Sequence, residues 1–256
     1  MSLTSAVIKL AAPLPRIEQF ERFLFIGAHP DDIEIGAGAT AARLVAMGKS
    51  VTFLICLDGR FGLDNAPAGM TPEALAHVRV EESRKAAGVL GVKDVRFLNF
   101  CDGGQYSDRE LTEAVAKVIG EVKPELIFAP DPCVSSECHT DHLAVGDIAR
   151  RLAFFAPFKE IMETYGADTA PVEAIAFYMT ARPTRFVGTS KFFDRQVKSI
   201  LCHKSQFPKD SEAFKSVLTY LKLRAVDFGI RSLRGKAEGF RVIGRTHMHC
   251  LPEAGR

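Results

Sequence analysis

The stretch Phe23-Leu24-Phe25-Ile26-Gly27-Ala28-His29-Pro30-Asp31-Asp32-Ile33-Glu34 decides how the chain is read. Its first half is an unbroken apolar run with aromatic and β-branched residues, the pattern of a strand buried on both faces of a parallel sheet. Pro30 has no N–H to give to a ladder and ends that strand. His29, Asp31 and Asp32 are therefore expected at the carboxyl end of a central strand, where open α/β sheets hold their ligands. Three ionisable groups within four residues are costly to cluster unless a cation or a reaction requires them.

Outward from this stretch the chain alternates. Strands are expected at about 22–28, 51–57, 95–100 and 126–129. Between them lie helical segments: 36–48 with Gly48 as its cap, 71–91 opened by Thr71-Pro72-Glu73, and 108–121, while a fourth runs from His139 to about 154. Strand and helix in alternation predict a Rossmann-like, doubly wound, mostly parallel sheet flanked by helices. A strand at 174–179, helices at 191–206 and 211–229, and a short strand at 236–243 complete the reading. Residues 1–21 are expected to be an irregular N-terminal extension and 244–256 an irregular C-terminal tail on one domain, 1–256.

The 256 residues suffice for a large core without staples. A net charge of +2 and the lack of a basic run give no case for nucleic acid. No apolar stretch approaches the length of a transmembrane helix, and the N-terminus lacks the charged start of a secretory signal. Six cysteines without a C-x-x-C pair point to reduced thiols and a cytoplasmic protein.

Gly36-Ala37-Gly38-Ala39-Thr40-Ala41 imitates a dinucleotide fingerprint, with Asp58 following Gly38 by 20 residues. The fingerprint needs its first glycine directly after the strand, whereas acidic residues intervene here and would repel a pyrophosphate. The small residues are instead expected to let the helix approach the sheet closely. His139-Thr140-Asp141-His142 supplies a second cluster, at a helix start beyond the fourth strand. In a doubly wound order the first and fourth strands are neighbours, so the two clusters converge at the switch point. His29 and Asp32 together with a histidine of the second cluster, His139 or His142, suit a catalytic zinc ion, one per subunit, and Asp31 is left to act as general base. A structural zinc on Cys133, Cys138, His139 and His142 is the rival, but its spacing fits no standard finger and leaves the Asp pair unexplained.

At these residues the chain resembles the PIG-L/LmbE family of zinc-dependent N-deacetylases. Ala28-His29-Pro30-Asp31-Asp32-Ile33-Glu34 and His139-Thr140-Asp141-His142 carry the resemblance, supported by Arg79-x-x-Glu82, Asp102-Gly103, His203-Lys204-Ser205-Gln206 and Ala237-Glu238-Gly239-Phe240-Arg241. The resemblance implies removal of acetyl from an N-acetylglucosamine-type sugar, with His29, Asp32 and His142 on zinc and Asp31 as base. It implies that His139 stabilises the oxyanion or protonates the leaving amine, that Asp141 orients His139, and that Asp102 and, outside the common spacing, Arg60 bind substrate. Because relatives form oligomers, it also allows a homo-oligomer in which His247 or His249 reaches an active site. The alternative the superfamily offers is a metal-dependent hydratase or lyase acting on a small carboxylic acid. Glu82, His203 and Glu238 read first as scaffold contacts, and His77 as a solvated helix residue.

Overall fold

The computed structural model describes residues 3–249 and 251. Seven strands form one sheet in the order β3-β2-β1-β4-β5-β7-β6: β1 (Arg22–Gly27), β2 (Ser50–Leu57), β3 (Asp94–Phe100), β4 (Leu126–Pro130), β5 (Ala174–Tyr178), β6 (Arg185–Gly188) and β7 (Ala237–Gly244). The first five pair parallel, while β7 runs antiparallel to β5 and to β6. β1 lies between β2 and β4, with Phe25 opposite both Phe53 and Phe128. The expected switch point is thus present.

The period of two along β1 divides the core. Phe23 and Phe25 join Phe53, Phe128 and Phe240 under α2 (Asp32–Ala46) and α3 (Pro72–Leu90). Leu24 and Ile26 face the other way, into the packing of α4 (Asp108–Val122) and α5 (Thr140–Phe155). Phe25 and Phe128 stack at 4.0 Å between ring centroids, and every one of these phenylalanines is fully buried. Burial of such a side chain stabilises the fold by roughly 1.5–3 kcal/mol.

Helix α3 starts as its sequence dictates, with Thr71 Oγ1 accepting from the Ala74 amide at 3.3 Å and Pro72 in the first turn. α2 begins earlier than expected, at Asp32 rather than Gly36. Gly36 is needed there, because a Cβ on it would stand 2.2 Å from Cδ2 of the buried Tyr178 ring. The glycines that mimic a dinucleotide loop are therefore packing residues.

One further feature concerns α2. The amides of Ala39 and Thr40 donate to the Glu238 carboxylate (3.2 and 2.7 Å), and the carbonyls of Glu34 and Ile35 accept from Gln196 Nε2 (2.9 and 3.2 Å). Gln196 also donates to Glu238 at 2.9 Å. Side chains from α7 (Phe193–Ile200) and β7 thus enter the hydrogen-bonding of the helix that opens with Asp32.

Some expectations fail. The N-terminal extension contains helix α1 (Leu3–Ala11), and the segment 191–206 shortens to α7 followed by turns. α6 (Lys159–Thr164) and β6 were not anticipated; both are too short to give a periodic signal. The last long helix, α8 (Glu212–Arg231), matches its expected span closely. After β7 a short 3-10 turn covers Arg245–His247, and Cys250 with the last five residues lies outside the described residues.

Candidate active site

Two loops at the carboxyl edge build the site. The first joins β1 to α2. The His29 amide donates to Asp32 Oδ2 at 2.8 Å, which pins the turn. Between them Asp31 holds a φ of 111°, a region that favours glycine. This local strain directs the two carboxylates to different partners, and strain of this kind is tolerated where function requires it.

The second loop joins β4 to α5. Asp131 at its start is clamped by Arg241 from β7, with Nε to Oδ2 at 2.9 Å and Nη2 to Oδ1 at 2.5 Å. Glu137 near its end accepts from the His139 amide at 2.8 Å. His139 is the N-cap of α5, which places His139, Asp141 and His142 around its first turn.

The three imidazoles converge. Ring centroids lie 4.7 Å apart for His29 and His139, 5.3 Å for His29 and His142, and 4.6 Å for His139 and His142. Hydrogen bonding fixes their tautomers. His29 Nε2 is 2.9 Å from Asp141 Oδ2, and an ionised carboxylate can only accept, so Nε2 carries the hydrogen. His142 Nδ1 likewise donates to Glu137 Oε2 at 3.1 Å. The remaining nitrogens both turn their lone pairs toward Asp32, at 3.8 Å from His29 Nδ1 and 3.3 Å from His142 Nε2. Acceptors face acceptors there, and a cation resolves that arrangement. Donor atoms of His29, Asp32 and His142 all lie within 4.8 Å of one another. Two nitrogens and one oxygen, each imidazole backed by a carboxylate, form a donor set that fits a divalent metal.

The electrostatics favour positive charge at the same place. Burial opposes a charged His142, yet Asp32 and Glu137 raise its pKa to about 10, so the space between Nε2 and Asp32 holds either a second proton or a cation that displaces it. Burial also opposes a charged Asp32, yet His142 and His29 hold it below the usual carboxylate range. A group of His29, His139 and Asp141 has comparable spacing. Asp141 is ill suited to a metal, being fully buried and already accepting from the amides of Gly103 (2.8 Å) and Gly104 (2.9 Å) and from Tyr106 Oη (3.0 Å). No cysteine joins either group among the described residues, and Cys133 and Cys138 are exposed.

Asp31 faces away from the imidazoles toward Arg79, whose Nη2 donates to its Oδ2 at 3.0 Å. The same guanidinium donates to the carbonyls of Pro30 (2.5 Å) and Gly59 (2.9 Å). Burial raises the Asp31 pKa, with Arg79 pulling the other way. Gly59, at a φ of 68°, must be glycine, because a Cβ there would lie 2.4 Å from Arg79 Nη1.

Asp141 lies 3.9 Å from His139 Nδ1, and its hydrogen bond goes to His29 instead. His139 keeps half of its side chain exposed at the mouth of the site, and its pKa is lowered by burial of the rest and by the neighbouring imidazoles. The buried Asp102 accepts from the Phe61 amide at 3.4 and 3.3 Å. Arg60 is turned onto Asp58, with Nε to Oδ2 at 2.9 Å. It lines a cleft of about 390 Å³ with Glu73, His77 and Phe97, apart from the histidines.

Arg79, Glu137 and Tyr106 are site residues to which sequence reasoning assigned no role. Glu137 precedes the second motif by two residues, and Arg79 stands in a recognised motif, so both were visible; nothing in the sequence marks Tyr106. Glu82 is a scaffold residue, accepting from the Ser205 amide (2.9 Å) and Oγ (2.6 Å). His203 is fully buried, 3.5 Å from Glu34. His77 is an exposed helix residue. Across the molecule, His247 meets the Ala12 carbonyl at 2.8 Å and His249 stacks on Phe154 at 5.7 Å.

The comparisons with known proteins agree with this geometry. The family model described as PIG-L, GlcNAc-PI de-N-acetylase, matches residues 24–153. The diacetylchitobiose deacetylase of Thermococcus kodakarensis is 31% identical over 237 residues, spanning 91% of this chain and 87% of that one. A 1D-myo-inositol 2-acetamido-2-deoxy-alpha-D-glucopyranoside deacetylase of Kineococcus radiotolerans is 31% identical over 203 residues, 68% of this chain and 55% of its own length. The N,N'-diacetylchitobiose deacetylase of Pyrococcus horikoshii, solved with its inhibitor MPG, superposes with a TM-score of 0.88 at 28% identity over 98% of this chain and 97% of that one. A 4-carboxy-2-hydroxymuconate hydratase of Pseudomonas putida, 19% identical with a TM-score of 0.73 over 87% of this chain and 96% of its own, shares the fold. With both signature loops inside the matched region, the chain belongs to the PIG-L family of de-N-acetylases.

Proposed function

We propose that this chain hydrolyses the acetamide of an N-acetylglucosamine-type sugar or sugar conjugate, releasing acetate and a free amine, with one zinc ion held by His29, Asp32 and His142. The observation that carries the proposal is the division of the acidic pair. Asp32 faces two imidazole lone pairs, while Asp31, one residue away, is buried against Arg79 and raised in pKa. A binding module needs no such second carboxylate. The bound cation supplies Lewis acidity toward the amide oxygen and lowers the pKa of water.

The rest falls to the chain. Asp31 accepts the proton of the attacking water at a carboxylate oxygen, and its raised pKa brings it toward the range in which a base is effective. Arg79 holds that carboxylate in place through Oδ2. His139, at the mouth, donates an N–H to the developing oxyanion or to the departing nitrogen. Asp141 fixes the tautomer of His29 and, through the Gly103 and Gly104 amides, anchors the loop after β3. We assign Asp102 to holding the Phe61 backbone beside the sugar and Arg60 to the outer part of the substrate.

Among the described residues no helix is long and apolar enough to cross a membrane. The free thiols of Cys56, Cys101, Cys133, Cys138 and Cys202 support a reducing compartment, and we place the reaction in the cytoplasm. Acetate release from a panel of N-acetylated amino sugars by the zinc-loaded protein tests the reading. Absence of acetate from every member, together with water addition to an unsaturated small carboxylic acid, would instead establish the hydratase alternative.

A further inference from the structure

The loop after β2 reads Asp58-Gly59-Arg60-Phe61-Gly62-Leu63, with a large aromatic residue between two glycines. The glycines let the backbone approach Arg79 closely: a Cβ on Gly62 would stand 2.8 Å from Nη1, the atom that also excludes one on Gly59. The backbone around Phe61 is fixed. Its amide donates to Asp102, its carbonyl accepts from the Leu63 amide at 2.9 Å, and the Gly62 carbonyl accepts from Gln206 Nε2 at 2.7 Å. Yet the residue is 53% exposed.

A single exposed phenylalanine is ordinary. The position of this one is not. One edge of its ring leans on Gly103, where a Cβ would lie 3.4 Å from Phe61 Cδ2 and 3.7 Å from Cε2. The Gly103 amide donates to Asp141 at 2.8 Å, and Asp141 accepts from His29 at 2.9 Å. On the other side of the loop, the Arg79 against which Gly59 and Gly62 pack is the one that holds Asp31. The neighbours of Phe61 thus lead to His29 in one direction and to Asp31 in the other.

Asp102 gives the same place a polar edge. It is buried, and among the described residues only the Phe61 amide donates to it, at 3.4 and 3.3 Å to its two oxygens. An ionised carboxylate has about four acceptor sites, so most of its capacity is unused. An aromatic surface beside an underused acceptor matches a pyranose, which presents C–H groups on one face and hydroxyls around its rim.

Resting on the deacetylase reading, we propose that the Phe61 ring is the stacking platform for the apolar face of the acetamide-bearing sugar. It thereby sets a preference for a ring over an open-chain amide. With the backbone already fixed, little ordering is left for binding to impose. The stacked face takes no part in the bond changes at the acetamide, so the contact is alike in ground and transition states. Its loss therefore appears in KM rather than in kcat.

The chain contains no tryptophan, so Phe61→Trp places a lone indole on the platform. Its emission should shift saturably on titration with N-acetylglucosamine and with glucosamine. That of Phe158→Trp, at an exposed phenylalanine in the Phe154 cluster, should not. In the zinc-loaded protein, Phe61→Ala should raise KM for N-acetylglucosamine about 10–100-fold, the worth of one buried phenylalanine, with kcat nearly unchanged. Turnover of open-chain N-acetylethanolamine and the melting temperature should not move, and Phe61→Trp should recover the low KM. A ring that only anchors the loop would instead give Phe61→Ala a lower melting temperature at unchanged KM, which overturns the proposal. Acetate release from N-acetylglucosamine with the Phe61→Trp emission unmoved overturns it too and leaves the deacetylase reading standing. An emission that shifts with both sugars in a protein releasing no acetate keeps the platform and removes that reading.

Discussion

Gly36→Ala offers a sharp test of how the fold sets the site. Alanine in a helix interior is favoured over glycine by about 1 kcal/mol, so propensity alone predicts a more stable protein. The packing predicts the reverse. The added methyl would lie 2.2 Å from Tyr178 Cδ2 and 2.8 Å from its Cγ and Cε2, against a comfortable carbon separation of about 3.5–4.0 Å. The ring cannot swing away, because it is 1% exposed and its hydroxyl donates to the Ile26 carbonyl at 2.8 Å. Relief must come from α2 tilting off the sheet, at an overpacking cost of about 1–3 kcal/mol, with a further 1–3 kcal/mol if the Tyr178 bond is lost. The net expectation is a loss of about 2 kcal/mol, or about 4–8 °C in melting temperature for a chain of this size. Asp32 lies one turn upstream on the same helix, so metal affinity should fall about 10-fold or more. Thermal melts with a chelator present isolate the packing effect, and competition with a chromophoric chelator reads the affinity. An apo melting temperature unchanged or raised would refute the argument that the Gly36–Tyr178 contact fixes the helix.

Three other outcomes follow from the same geometry. Asp31→Asn should lower kcat for acetate release by about 10²–10⁴-fold while bound zinc, measured by elemental analysis, stays at one per chain; retained activity would remove Asp31 from the role of base. Glu137→Gln should weaken metal affinity about 10–100-fold, since the His142 Nδ1–H loses its carboxylate, and a titration showing no change would discount that contact. Glu238 concerns stability and pH. Burial raises its pKa from 4.5 to about 7 despite the hydrogen bonds it accepts from Thr40, Ala39 and Gln196. The folded state keeps this proton longer than the unfolded chain does. Its contribution is therefore fully present below about pH 4.5, declines as pH rises to about 7, and is lost above. The loss is at most about 3 kcal/mol, an upper bound because the residue keeps some exposed surface. Urea unfolding of the wild type and Glu238→Gln at pH 5 and pH 8 should show a smaller pH difference in the variant; equal differences would place the dependence elsewhere.

The central part of the fold was legible because buried parallel strands and glycine- and proline-marked boundaries are local signals. Phe23–Ile26 and Leu126–Ala129 are apolar throughout, and Pro30 and Pro130 mark their ends. The neighbour relation of β1 and β4 followed from topology rather than from any residue. What was not legible depended on distant partners. β6 holds only four residues and exists through its pairing with β7. The hydrogen bond of Asp141 to His29 rather than His139 depends on how far α5 stands from β1, a distance that spacing along the chain does not encode. That Asp58, two residues away, fixes the guanidinium of Arg60 in place is likewise a contact the sequence does not mark.

The entry of Gln196 and Glu238 into α2 has a consequence for how the site comes into being. The His-Pro-Asp-Asp motif is complete within the first 32 residues of the chain, but the helix that carries Asp32 is finished only when β7 arrives, some 200 residues later. A nascent or truncated chain ending before Glu238 would own every proposed ligand and still lack the pocket that aligns them. On the proposed ligand set, tight metal binding would then report that the last strand has docked.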